Sequence, residues 1–125
     1  MGRFTELRKI IQSQLKTAHQ RVYFMDAPDD ARYPYLVYDL PNSVDDGSLE
    51  NFVLEVDGWD DSADTNVLEK LMDDMDNSLH RKTMVVGNLS VTFYRDNRLT
   101  LTDDDKRISR RQYIYQARVY QTGGQ

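Results

Sequence analysis

Apolar positions recur along this chain at two spacings, and the places where one gives way to the other mark its elements. Phe4, Leu7, Ile11, Leu15 and Ala18 form one stripe at helical spacing with Ile10 beside it, and Arg3, Arg8, Lys9 and Lys16 lie off the stripe. A first helix is therefore predicted from Phe4 to His19 or Gln20, where Val22-Tyr23-Phe24 changes to strand-forming residues. Asp26-Ala27-Pro28-Asp29-Asp30-Ala31 reads as a loop, because Pro28 removes a backbone donor and aspartates favour turns. The aromatic and β-branched run after Pro34 predicts a strand over residues 35–40. Asp46-Gly47 then marks the tight point of a hairpin that pairs this strand antiparallel with the next.

The segment from Asn51 to Lys82 is the centre of the pattern. Phe52-Val53-Leu54-Glu55-Val56-Asp57 alternates, passes Gly58 and Trp59, and meets Asp60-Asp61-Ser62-Ala63-Asp64. That acidic run suits a helix start, where side-chain oxygens accept from unpaired amides and negative charge meets the positive end of the helix dipole. Leu68, Leu71, Met72, Met75 and Leu79 follow as one apolar stripe, with Glu69, Asp73, Asp74 and Asp76 on the other face. His80, Arg81 and Lys82 place positive charge at the far end. Strand, acidic turn and helix form one packing unit, since the stripe must be buried and the strand offers a face to bury it.

Beyond it, Met84-Val85-Val86 precedes Gly87-Asn88. In the next run Leu89, Val91 and Phe93 alternate with Ser90, Thr92 and Tyr94, as in a strand covered on one side. Leu99-Thr100-Leu101-Thr102 leads to Asp103-Asp104-Asp105-Lys106, a charged loop expected to be mobile. Residues 111–120 alternate again, Tyr113, Tyr115, Ala117 and Val119 opposite Ile114, Gln116, Arg118 and Tyr120. Helices set among hairpins, without regular strand-helix-strand alternation, predict an α+β fold: a mainly antiparallel β-sheet with two amphipathic helices packed on one face. Residues 1–121 are expected to form a single domain, and residues 122–125, with nothing to bury, a disordered tail.

Composition narrows the chemistry. The 125 residues carry 21 acids against 16 bases, a net charge of −5, which argues against a general nucleic-acid binder. With no cysteine, stability must come from packing, as in a reducing cytosol or inside a particle. No apolar run approaches the roughly 20 residues of a membrane span, so no membrane partner is expected. The six glycines are scattered and build no phosphate loop, and no cofactor is expected. His19 and His80 fall near predicted helix C-termini, with no nucleophile elbow to complete a triad, and no catalytic residue is assigned.

Three groups of residues remain as candidates. Asp57, Asp60, Asp61 and Asp64 are the most suggestive metal ligands, and with them goes an alternative reading as a metal-dependent nuclease or phosphotransfer enzyme. Against it, calcium-loop spacing is missing and no lysine follows in the order a strand-borne nuclease needs; helix capping is the competing role, and no metal is assigned. Arg107, Arg110 and Arg111, with Lys106, form one basic cluster that Arg95 and Arg98 are expected to face across a hairpin. It reads as a partner surface or as the balance to Asp103-Asp104-Asp105. Of eight tyrosines, Tyr94, Tyr120 and one of Tyr35 or Tyr38 are candidates for a sheet face that another subunit covers, because tyrosine buries a large ring while keeping its hydroxyl wet.

The chain-wide order of features, with "YPYLVYDL", "FVLEVDGWDDSADTNVLEKLMDDMDNSL" and "VTFYRDNRLTLTDDDKRISRRQYIYQARVY", resembles the small tail-completion or tail-terminator proteins that join head to tail in long-tailed bacteriophages. The resemblance runs from the first helix to Tyr120 and lies in aliphatic and aromatic positions. It implies a non-enzymatic virion protein, an α+β subunit assembling with itself as a ring, expected to be a hexamer, that caps the tail tube protein and meets the head connector. DNA would then be encountered only in passage through the lumen, and the host cytoplasm would be the place of assembly. An adaptor domain for another protein is the remaining alternative.

Overall fold

The structure, a computed structural model, describes residues 2–121; the tail expected over 122–125 lies outside the described residues. Helix α1 spans Arg3–Ala18 and α2 spans Asn66–Leu79. The strands are β1 (Val22–Phe24), β2 (Tyr35–Asp45), β3 (Glu50–Asp60), β4 (Thr83–Val86), β5 (Leu89–Thr102) and β6 (Ser109–Gln121). They form one sheet in the order β1-β2-β3-β6-β5-β4, antiparallel throughout except for β1, which lies parallel to β2. This is the predicted α+β architecture.

Alternation decides which side chains the helices cover. Leu36, Tyr38 and Leu40 of β2, Phe52, Leu54 and Val56 of β3, Leu89, Val91 and Phe93 of β5, and Tyr113, Tyr115, Ala117 and Val119 of β6 all point to one face and are buried. Above them lie Leu7, Ile10, Ile11 and Leu15 of α1 and Leu68, Leu71, Met72, Met75 and Leu79 of α2. Each Leu, Ile, Val, Phe or Met among them contributes roughly 1.5–3 kcal/mol by leaving water, so the two stripes and the sheet face hold one another. Among the described residues no helix covers the opposite face.

Several elements differ from the pattern-based expectation, each for a local reason. β2 does not stop at Leu40 but continues to Asp45, through a bulge between Asp39 and Asn42 that takes in Pro41. β1 has ended at that level, so β2 is an edge there and the missing proline donor costs no ladder bond. Residues 89–94 and 99–102 are one strand, and a register shift between Arg95 and Asn97 inverts the alternation that made them look separate. The α2 N-cap is Thr65, which makes no side-chain cap bond; Asp64 Oδ1 instead accepts from the Asn66 amide at 2.9 Å, so the acidic run still serves the first turn.

At the other end of α2, His80 closes the helix, and Arg81 adopts a left-handed φ of 62°. Its amide donates to the Phe93 carbonyl at 2.7 Å, steering the chain onto β5.

Gly58 fixes how closely α2 approaches. A Cβ there would stand 2.5 Å from the Met72 sulfur and 3.0 Å from Leu68 Cδ1. Gly58→Ala is expected to destabilise by about 1–3 kcal/mol in urea unfolding, with Met72 forced aside. In the double variant Gly58→Ala/Met72→Ala the freed space accepts the methyl, so its loss should be smaller than the sum of the single losses. Strict additivity would show that Gly58 does not set this distance.

Candidate functional site

The open face of the sheet is a mixed aromatic and charged surface. Near one end of the strands Tyr35 stacks on Tyr33 (ring centroids 5.2 Å) and on Trp59 (6.4 Å), with the Tyr23 ring edge-on at 5.9 Å. The Arg110 guanidinium lies 4.6 Å over the Trp59 ring. Its Nε donates to Asp57 Oδ2 at 2.7 Å and its Nη2 to the same oxygen, while Gln112 donates to Asp57 Oδ1 at 3.0 Å. Burial, with Tyr33 beside it, pushes the Tyr35 hydroxyl up to about 12. Tyr94 and Tyr120 lie on the same face, each 39% exposed, with Arg118 over the Tyr94 ring. Of the tyrosine pair left open by the sequence, Tyr35 is on the open face; Tyr38 is in the core, 1% exposed, under α1.

The basic cluster expected from the sequence does not gather. Arg110 lies on the open face against Asp57, whereas Arg111, one residue on, points to the helix face and binds Glu69 at 3.0 Å. Arg95 reaches Asp76 at 2.5 Å, Arg98 lies over the Tyr113 ring at 5.8 Å, and Arg107 binds Asp105 at 2.8 Å in its own loop. Strand parity separates Arg110 from Arg111, and the β5 bulge returns both Arg95 and Arg98 to the helix side. These arginines act mostly as internal partners. Asp76 also accepts from the Tyr115 hydroxyl at 2.6 Å, and burial together with that bond raises the Tyr115 pKa far above its usual range.

The four aspartates of the metal alternative do not share a site either. Asp57 and Asp60 stand three residues apart on one strand and so face opposite sides of the sheet. Asp57 is held by Arg110 and Gln112, Asp60 is buried with one oxygen accepting from the Asp61 amide, and Asp61 and Asp64 are exposed. Among the described residues no group of three acids or histidines is placed to hold a metal ion.

The 103–108 loop, expected to be mobile, has three of its amides bonded locally. Asp103 Oδ1 accepts from the Asp105 amide, Asp105 Oδ1 from the Arg107 amide, and the Ile108 amide donates to the Asp105 carbonyl. Hydrogen bonds from the Arg107 guanidinium, then from its amide, bring the Asp105 carboxyl down to about 2.

Sequence reasoning missed the Tyr33, Trp59 and Arg110 assembly on the open face and the role of Asp57 in holding it. The signal was present: β3 parity places Trp59 and Asp57 opposite Leu54 and Val56.

A surface of aromatic rings and clamped charges, without a converging catalytic group, is suited to contacts with other proteins. The family model described as "Tail completion protein gp17" matches residues 7–120. The chain belongs to this family. It is thus a tail completion protein by family. No curated protein sequence matches it. Among solved structures, a chain of the "Virion of native gene transfer agent (GTA) particle" shares its fold with a TM-score of 0.71, at 13% identity, covering 88% of this chain and 91% of that one.

Glu55 tests the electrostatics of the open face in this tail completion protein. Burial, then the neighbouring Asp57 and Asp39, raise its pKa, and Asp39 lies directly across from it in the strand register. A carboxyl whose folded pKa is raised favours folding below its unfolded value, and that advantage is lost as pH rises through the folded value. Glu55→Gln is therefore expected to gain stability at pH 7, by less than about 1 kcal/mol, and to lose that gain below pH 4.5. Asp57→Asn is expected to cost about 1–3 kcal/mol at pH 7, because Arg110 then keeps its partly buried charge without a counter-ion. Urea unfolding across pH reads both.

Proposed function

We propose that this tail completion protein ends the tail tube and joins it to the head connector, acting as a ring of identical copies, expected to be a hexamer, and as a scaffold without enzymatic activity. The observation that carries the reading is the family match across nearly the whole chain, on a fold whose polar side chains are tied to one another and not to a reaction centre. A ring grows when one face of a subunit meets a different face of the next and the rotation closes. An uncovered sheet face and free strand edges supply such surfaces. The acidic balance of the chain suits a lumen through which DNA passes without adhering.

The candidate contact residues sort accordingly. Tyr35, Tyr94, Tyr120 and Arg110 are open-face groups available to a neighbour, Arg107 stands exposed at the hairpin tip, and Arg95, Arg98 and Arg111 support α2 and its margin. Assembly takes place in the host cytoplasm, and the finished ring stays in the virion. The nuclease alternative loses its geometric basis, since the carboxylates it requires point to opposite faces.

Deleting the gene from the producing phage or prophage is expected to leave separate heads and tails in electron micrographs, with joined particles restored by the protein supplied in trans. Joined, DNA-filled particles at normal yield without it would overturn the reading.

A further inference from the structure

The two outer margins of the sheet are finished differently. On the β2 side, Pro41 lacks a donor, Asp39 Oδ1 takes up the Leu40 amide at 2.8 Å, and a bulge breaks the register. Such devices protect an edge from chance pairing. Beyond them the last residues of β2 stay open, Val44 with 73% of its surface exposed. On the other margin β4 has no such protection: Thr83-Met84-Val85-Val86 contains no charge and no proline, and Val85 is 63% exposed. A bare apolar edge strand is a template for pairing.

The bare edge and the open half of β2 stand at the same level. The strand registers place Val44, Asn51, Arg118, Thr92 and Thr83 in one row across the sheet, and Asp45 and Met84 in the next. The alternation of strand directions makes β4 and β2 run the same way, as β1 and β2 already do.

The helix layer is matched on the same two margins. Gln12 of α1 donates to the Val22 carbonyl and Arg8 lies over the Phe24 ring, so this flank of α1 overhangs β1. It carries Arg8, Lys9 and Lys16, none with an ion-pair partner among the described residues. α2 leans toward the opposite side of the sheet, where Glu69 is tied to Arg111 of β6 and Asp76 to Arg95 of β5, at the level where β5 runs on beyond β4. Asp73 lies between them on that flank, and Asp61 and Asp64 precede the helix; these three have no ion-pair partner among the described residues.

We propose that copies of this chain join head-to-tail by these margins: β4 and the acidic flank of α2 in one copy dock against the open half of β2 and the basic flank of α1 in the next. This rests on the ring reading above and names its contact. One repeating step then satisfies both layers, with a strand edge meeting an open strand edge and positive charge meeting negative. The ring axis runs roughly along the strands, and their two ends are left for other partners.

The chain has no cysteine, so an introduced pair gives a cross-link without background. In particles made with Val44→Cys/Val85→Cys as the sole copy, a short bismaleimide is expected to produce a ladder of multimers in denaturing gels, and each single-cysteine variant none. Cross-linked dimers from one single variant would show like surfaces meeting like and overturn the proposal. So would an oligomer seen by native mass measurement that gives no ladder, although the ring reading would survive that result. Monomers alone, both free and released from particles, would sink the ring reading itself.

Charge exchange gives a second arm. Lys9→Glu/Lys16→Glu and Asp73→Lys/Asn77→Lys, all at exposed positions, are each expected to weaken self-association by about tenfold or more. Mixed in equal amounts they should restore it, because alternating copies again place opposite charges at every contact and a ring with an even number of subunits closes. Unchanged association of both variants would remove the helix layer from the interface.

Discussion

The two-residue alternation of β3 is the constraint on which the rest of the structure depends. This strand is paired along its whole length to β6 and, apart from the bulge, as far as Trp59 to β2, so its register cannot slip without breaking two ladders. Phe52, Leu54 and Val56 are thereby committed to the helix face. Gly58 follows them in parity and leaves the space that Met72 and Leu68 enter, so α2 lies close against the strand that precedes it in sequence. The intervening Asp57 and Trp59 are sent to the other face, where they organise the open surface through Arg110. One strand thus sets both the depth of the core and the chemistry of the exposed side.

The charged residues behave in keeping with that division. Arginines at the helix face stand close to apolar packing and need partners. Glu69 and Asp76 of α2 supply them for Arg111 and Arg95, at side-chain exposures of 16% and 26% for the two arginines. Truncating either carboxylate would leave a cation at the margin of the core, which is why these pairs matter more than the exposed Lys70–Asp74 pair at 2.7 Å on the surface of α2. Tyr115 ties the same network to the sheet through Asp76. The acidic character of α2 is therefore part structural and part surplus, and the surplus is what remains for a neighbour.

Much of this was legible in the sequence where spacing carries the information. The stripes of α1 and α2, the alternation of β3 and β6, the Asp46-Gly47 turn and the placement of Tyr94 and Tyr120 opposite the core all follow from periodicity, because burial imposes it. Reading failed where an extra residue shifts the period, at Asp39/Asn42 and at Arg95/Asn97, since a bulge looks from sequence like the end of a strand. It also failed for the arginine and aspartate groups. Closeness along the chain does not give closeness in space, because on a strand adjacent residues face opposite sides, and Arg110 and Arg111 are divided by the full thickness of the sheet. The parallel pairing of β1 with β2 had no local signal at all, as it joins segments separated by a loop.

The proposed margin-to-margin docking also bears on how the remaining surfaces are shared among partners. With the two lateral margins occupied by neighbouring copies, what is left is the open face and the two ends of the strands, and those ends differ. One carries the 103–108 loop beside the Tyr33, Tyr35 and Trp59 stack; the other carries the Asp46-Gly47 turn, in which Asp45 and Asp46 accept from the backbone amides of Gly47, Ser48 and Leu49. Hydrogen bonds from Ser48 and Leu49 keep Asp46 charged by lowering its pKa, so that end presents a compact anionic turn, while the first presents aromatic rings and the exposed Arg107. In the proposed joining role the two ends would meet unlike structures, and the difference between them is built from turn chemistry. For the proposed joining role, a sheet whose ladders hold these two ends in a fixed relation is sufficient.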